Sequence, residues 1–217
     1  MSPTLVREYR RAERLADNIV HVVGLASGVI ACVVLAVLAL PSAGLRMFVS
    51  VSLYAGGMMA MLWCSALYNM LRDGAWKRVL RRLDHAAIFV MIAGTYTPFA
   101  LEVIGGTWGI GLLAFVWTVA AAGVAMKLLL PHRFERLSIV LYLLLGWCIL
   151  VALEPLLAGI SVAGLVLLIV GGALYSLGVV FHLWSRLPYQ NAIWHAFVLA
   201  AAACHYAAIL REIVFNT

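Results

Sequence analysis

Charge is what this 217-residue sequence has least of: Asp, Glu, Lys and Arg together make up 11% of it, against 65% hydrophobic residues. A soluble domain carries about a quarter charged and about half apolar residues, so a water-soluble fold is excluded and a bilayer is indicated. Polar linkers, low-complexity stretches and internal repeats are also missing, which leaves one domain over residues 1–217 and little chain outside the membrane. Lysine occurs only at Lys77 and Lys127, in or beside loops, and the last apolar run has none, which excludes a retinal protein with its Schiff base. The four cysteines, Cys32, Cys64, Cys148 and Cys204, lie in apolar runs and form no CxxC pair. Neither a disulfide framework nor a zinc ribbon is expected, and they read as small buried apolar residues. The glycine-rich stretch at 105–111 follows no strand and lacks a lysine, so it does not read as a phosphate loop.

What is present is a series of apolar runs, each near the ~20 residues that cross a hydrocarbon core as a helix. They fall at about 20–40, 48–71, 85–103, 107–127, 136–154, 160–182 and 191–213, which predicts an all-α bundle of seven membrane-spanning helices. The first run is about twice the length of a signal-peptide core and should remain as an anchor. Thirteen of the fifteen Lys and Arg fall on one side of this topology. They are Arg7, Arg10, Arg11 and Arg14 in the N-terminal tail, Arg72, Lys77, Arg78, Arg81 and Arg82 in the second loop, Lys127, Arg133 and Arg136 in the fourth, and Arg186 in the sixth. Only Arg46 and Arg211 lie opposite. The positive-inside rule then predicts a cytoplasmic N-terminus and an external C-terminus in a multi-pass protein of a bacterial inner membrane. The same rule accounts for the net charge of +6 without a nucleic-acid partner. Pro98 should kink the third helix.

Polar groups at membrane depth are costly and mark candidate sites. Ser65 and Asn69 lie one turn apart near the cytoplasmic end of the second span, Asp84 and His85 open the third, and Asn191 and His195 open the seventh at i, i+4. His21 starts the first span and His182 ends the sixth, so these groups should share one cytoplasmic layer. Such convergence suits a metal or hydrolytic site. Glu13, Asp17 and His21 recur every four residues on one helical face, either as an interfacial face or as a strut behind that cluster. Asp84 and His85 follow a basic run and could equally neutralise its arginines. His205 lies ~15 Å deeper than His195 at 1.5 Å per residue and reads as a helix-to-helix hydrogen-bonder, and His132 as a solvated loop residue.

The segments SALYN, LDHAAIFVMIAGTYTPFAL, HRFERLSIVLYLLLGW and YSLGVVFHLWSRLPYQNAIWHAFVLAAAACHYAAI, in this order over nearly the whole chain, resemble the bacterial hemolysin III branch of the progestin and adipoQ receptor family. The resemblance implies seven helices with a cytoplasmic N-terminus and a zinc ion near that side. In the family the zinc is held by one histidine of an S-x3-H motif and two of an H-x3-H motif, with an aspartate close to the metal water. Carried over, the serine is Ser65, the aspartate is Asp84, and the three histidine positions are Asn69, Asn191 and His195. Two imidazole ligands are therefore replaced by amides, which are poor zinc donors, and the expected site is a degenerate one. Glu13, Asp17, His21, His85 and His182 are the candidate surrounding groups, of which His21, His85 and His182 could serve as replacement ligands.

Three functions follow from the resemblance. The preferred expectation is a sensor or regulator in membrane lipid homeostasis, with membrane lipids as partners and a lipid or fatty-acid ligand within the bundle. The alternative is a zinc-dependent lipid amide hydrolase with Asp84 and Ser65 as catalytic residues, weakened by the two lost ligands. A cytolytic pore comes last, because no polar stripe runs the length of any helix.

Overall fold

The computed structural model describes residues 10–39, 44–71, 74–130 and 134–215; Arg7, Arg72, His132 and Arg133, named above, lie outside them. With no water to serve backbone groups in a hydrocarbon core, helices satisfy them internally. Among the described residues, seven helices are long and apolar enough to cross a membrane: span 1 (Arg11–Ala39), span 2 (Leu45–Met70), span 3 (Lys77–Ile104), span 4 (Gly106–Leu129), span 5 (Glu135–Gly159), span 6 (Val162–Leu183) and span 7 (Gln190–Val214). The described chain contains no strand. Large apolar side chains such as Val33, Val37, Val151 and Val162 are exposed around the outside, as a lipid-facing surface requires.

Span 3 is the axle. Of its apolar window 61% is buried, against 17–39% in the other spans. On one side it packs into a cluster with Leu35, Tyr54, Met58 and Ile209 from spans 1, 2 and 7. On the other, Phe89, Ala93 and Tyr96 join Leu112, Val116, Leu145 and Ala152 from spans 4 and 5. Spans 2 and 3 meet backbone to backbone. A Cβ at Gly57 would lie 2.9 Å from Val90 O, and one at Gly94 would lie 2.9 Å from Leu53 O. Small residues supply such close approach in membranes, where lipid tails are as apolar as leucine.

Three departures from regular helix have local causes. Span 1 begins at Arg11, about two and a half turns before the apolar run, because Glu13, Asp17 and His21 turn inward on a buried face. They are interior, not interfacial. Span 3 runs as α-helix through Pro98 and then widens into a π-helix over Phe99–Ile104, which closes with Gly105 N donating to Ala100 O, five residues back, at 3.0 Å. Gly105 and Gly106, at φ 61° and 55°, then turn the chain into span 4, so the glycine-rich stretch is a left-handed corner and helix start. Span 5, expected as one run, is broken by a 3-10 segment over Cys148–Ala152. The four cysteines are free and partly buried.

The break in span 5 frees backbone groups at membrane depth, and Tyr96 of span 3 serves them. Its hydroxyl donates to Gly146 O at 3.0 Å and accepts from Ile149 N at 2.8 Å. Tyr96→Phe should therefore lower stability by about 1–3 kcal/mol, the cost of buried unpaired backbone groups. Thermal unfolding in detergent checks this, with an unchanged midpoint contradicting the bridging role.

Candidate metal centre

The site is built where span 1 meets the start of span 7. Asp17 and His21 are one turn apart on the buried face of span 1, each 7% exposed. His195 stands two turns into span 7 and faces them. Its Nδ1 lies 2.6 Å from Asp17 Oδ1, the distance of a charge-assisted hydrogen bond. His21 Nε2 lies 3.7 Å from the same oxygen, and the two imidazole rings sit 4.4 Å apart between centroids. One donor atom from each of these three side chains falls within 4.8 Å of the others.

Glu13, a turn before Asp17, fixes the approach. Its carboxylate accepts from Arg10 N at 2.9 Å and from Tyr189 N at 3.0 Å, tying the first turn of span 1 to the residue that caps span 7. Tyr189 adopts a left-handed conformation, φ 59°, which a non-glycine residue holds only when its surroundings impose it. Gln190 donates from Nε2 to His182 O at 2.6 Å, so the end of span 6 is pinned to the same corner. His182 packs its ring 5.0 Å from that of Trp194, the neighbour of His195.

Spans 2 and 3 supply the adjoining wall. Asp84 is buried, receives a hydrogen bond from the Ser65 hydroxyl, and lies within electrostatic range of His195 and Asp17. Asn69 donates from Nδ2 to Ser65 O at 2.9 Å and to Ser65 Oγ at 3.4 Å. Asn191 is half-buried one turn before His195. His85 lies elsewhere: its carbonyl accepts from Tyr142 Oη at 2.7 Å, and its ring stands in the field of Lys127 and Arg81. His205, deep in span 7, approaches Leu168 O at 3.4 Å, a helix-to-helix contact as its sequence position suggests.

The family model described as haemolysin-III related matches residues 11–206, nearly the whole of the described bundle. The chain belongs to the haemolysin-III-related family. It is 38% identical over 198 residues to the hemolysin-3 homolog of Bacillus subtilis (strain 168), covering 91% of this chain and 93% of that one. With hemolysin-3 of Bacillus cereus the identity is 36% over 198 residues, covering 91% and 90%. The human monocyte to macrophage differentiation factor is 30% identical over 171 residues, covering 73% of this chain and 68% of its own length. No solved structure matches. A haemolysin-III-related chain with seven apolar helices is a multi-pass integral membrane protein, and a bacterial plasma membrane fits the Bacillus relatives.

The residues present can be tested against the zinc that the family resemblance implies. Zinc takes imidazole nitrogen and carboxylate oxygen, and Asp17, His21 and His195 offer both. His21 Nε2 is buried and has no hydrogen-bond partner, an arrangement that suits a nitrogen with an ion to meet. These three residues fit. The i, i+4, i+8 spacing of Glu13, Asp17 and His21 carried this arrangement in the sequence, but not the register that sets Asp17 opposite His195.

At the opposite end the two remaining cations are paired. Arg46 bonds Glu102 on the π-helical end of span 3, with Nη2 3.0 Å from Oε2. Glu212 accepts from Ser161 N at 3.0 Å and from the Ser161 hydroxyl, joining the start of span 6 to the end of span 7, with Arg211 Nε 3.4 Å from its carboxylate. Sequence reading passed over both glutamates, and both close helix ends.

Glu13→Ala should leave the start of span 7 untied. Hydrogen bonds to a charged group are worth about 1.5–3 kcal/mol, and trypsin cleavage at the exposed Arg186 just before that span should accelerate. Equal cleavage rates in the variant and the unaltered chain would remove Glu13 from the corner.

Proposed function

We propose that this haemolysin-III-related protein is a regulator or sensor in membrane lipid homeostasis, responding to a lipid or fatty-acid ligand through the polar cluster of Asp17, His21, Ser65, Asn69, Asp84 and His195. The observation that carries the reading is burial: Asp17, His21 and Asp84 are each no more than 9% exposed, with Ser65, Asn69 and His195 half-buried beside them. Catalytic metal sites keep a coordination position open to substrate, whereas closed sites serve structure and state. Asp17 and His195 join the first span to the last, so any ligand that alters how those spans meet must keep or break one buried contact. A contact with two discrete states is what a switch biases.

A second reading, lipid amide hydrolysis, is favoured by one observation: a buried carboxylate, Asp84, held by Ser65 beside a donor set that suits zinc. Asp17, His21 and His195 would hold the ion, which when bound supplies Lewis acidity and a nucleophile at neutral pH. Asp84 would accept and return the proton of the attacking group, and Ser65, fixed by Asn69, would keep the carboxylate aimed. The cytolysis in the names of the Bacillus relatives comes last, since the cluster sits at one end of the bundle and a conducting path needs polar groups along its length.

Lipid profiling of a host strain separates these readings. Deleting the gene should shift acyl or headgroup composition, and the unaltered chain should restore it where Asp17→Asn and His195→Gln do not. Purified protein should release no fatty acid from ceramide. An unaltered profile overturns the regulator. Release that Asp84→Asn abolishes replaces it with the hydrolase, and dye efflux from liposomes replaces it with the pore.

A further inference from the structure

We infer that this chain binds a divalent transition-metal ion of the zinc type through Asp17, His21 and His195, a ligand set drawn from spans 1 and 7 with none from span 2.

Geometry gives the first argument. Two ligands on one tetrahedral ion with bonds of about 2.0–2.1 Å stand about 3.3 Å apart. Asp17 Oδ1 and His21 Nε2 are at 3.7 Å, close to that spacing without any movement of the backbone. Asp17 Oδ1 and His195 Nδ1, at 2.6 Å, share a proton; an ion would take its place and open the contact by under an ångström. His21 Nε2 is the orphan that such an ion satisfies.

Charge gives the second. A dication in a low-dielectric interior is better served by a set that includes an anion than by neutral groups alone. The Asp17 carboxylate halves the ion's charge, which compensates for two imidazoles replaced by amides at Asn69 and Asn191. Asn69 donates its Nδ2 to Ser65, and its neutral amide oxygen is a poorer zinc donor than imidazole or carboxylate. His85 lies outside the group formed by Asp17, His21 and His195, and the charges of Lys127 and Arg81 act on it. His182 packs its ring against Trp194 and lies outside the group formed by Asp17, His21 and His195.

The inference stands whichever function is correct, because binding is measured without lipid or turnover. The experiment uses the full chain, free of any histidine tag, equilibrated with zinc in detergent and then desalted. Metal analysis should find close to one zinc per chain. Asp17→Asn and His21→Gln should each weaken binding by more than about a hundredfold, beyond the range that loss of an outer partner costs, while Asn69→Ala retains the zinc. X-ray absorption at the zinc edge of the unaltered protein, which needs no variant to fold, should show two imidazole rings and an oxygen shell. No stoichiometric metal, zinc that survives both Asp17→Asn and His21→Gln, or zinc lost from Asn69→Ala as strongly as from Asp17→Asn would overturn the assignment.

Discussion

A carboxylate buried at the end of a membrane bundle must be met by groups that can share its charge, and Asp17 is met by His195 and His21. Leaving it unpaired at 7% exposure would cost several kcal/mol. Satisfying it demands that span 1 extend as helix back to Arg11, that span 7 start at Gln190, and that the two lie against each other. The Glu13 bond to Tyr189 and the Gln190 bond to His182 hold the same corner from either side. This corner of the molecule is therefore one linked unit, and the residues that lock it come from the first span and from the segment between the end of span 6 and the start of span 7.

The rest of the fold follows a related rule, that no backbone group at membrane depth goes unserved. Where span 5 breaks, Tyr96 bridges the gap from span 3. Where span 3 widens after Pro98, Thr97 bonds back to Ala93 O at 2.8 Å and receives Trp117 Nε1 at 3.1 Å. Where span 6 starts, Ser161 caps it and is itself held by Glu212. At the span 5 break and the span 6 start a polar side chain on another helix meets the irregularity, so hydrogen bonds join the glycine contacts between spans 2 and 3 in setting the register.

Much of this was legible in the residues. Seven spans could be counted because charge and Pro/Gly clusters bound each apolar run, and Asp84, Ser65 and His195 stood out as polar groups in apolar surroundings. The 3-10 break in span 5 was hidden because its sequence, CILVA, is apolar throughout and the compensating hydroxyl lies some fifty residues away. The early start of span 1 was missed because hydropathy marks where a helix meets hydrocarbon, while Glu13, Asp17 and His21 are polar residues facing protein. Their four-residue period was visible, and read alone it fits an interfacial face as well as an interior one. Only the packing of span 7 against it decides which, and that is a tertiary fact.

A double-mutant cycle on Asp17→Asn and His195→Gln, run on the full chain with chelator present, tests most directly that this pair holds the polar end together. Each single change should destabilise the protein by about 3–5 kcal/mol, and the double change should cost less than their sum by about 2 kcal/mol, since the partner left behind is no longer charged and alone. Effects that add to within about 0.5 kcal/mol would mean that the two side chains act independently, contradicting the account.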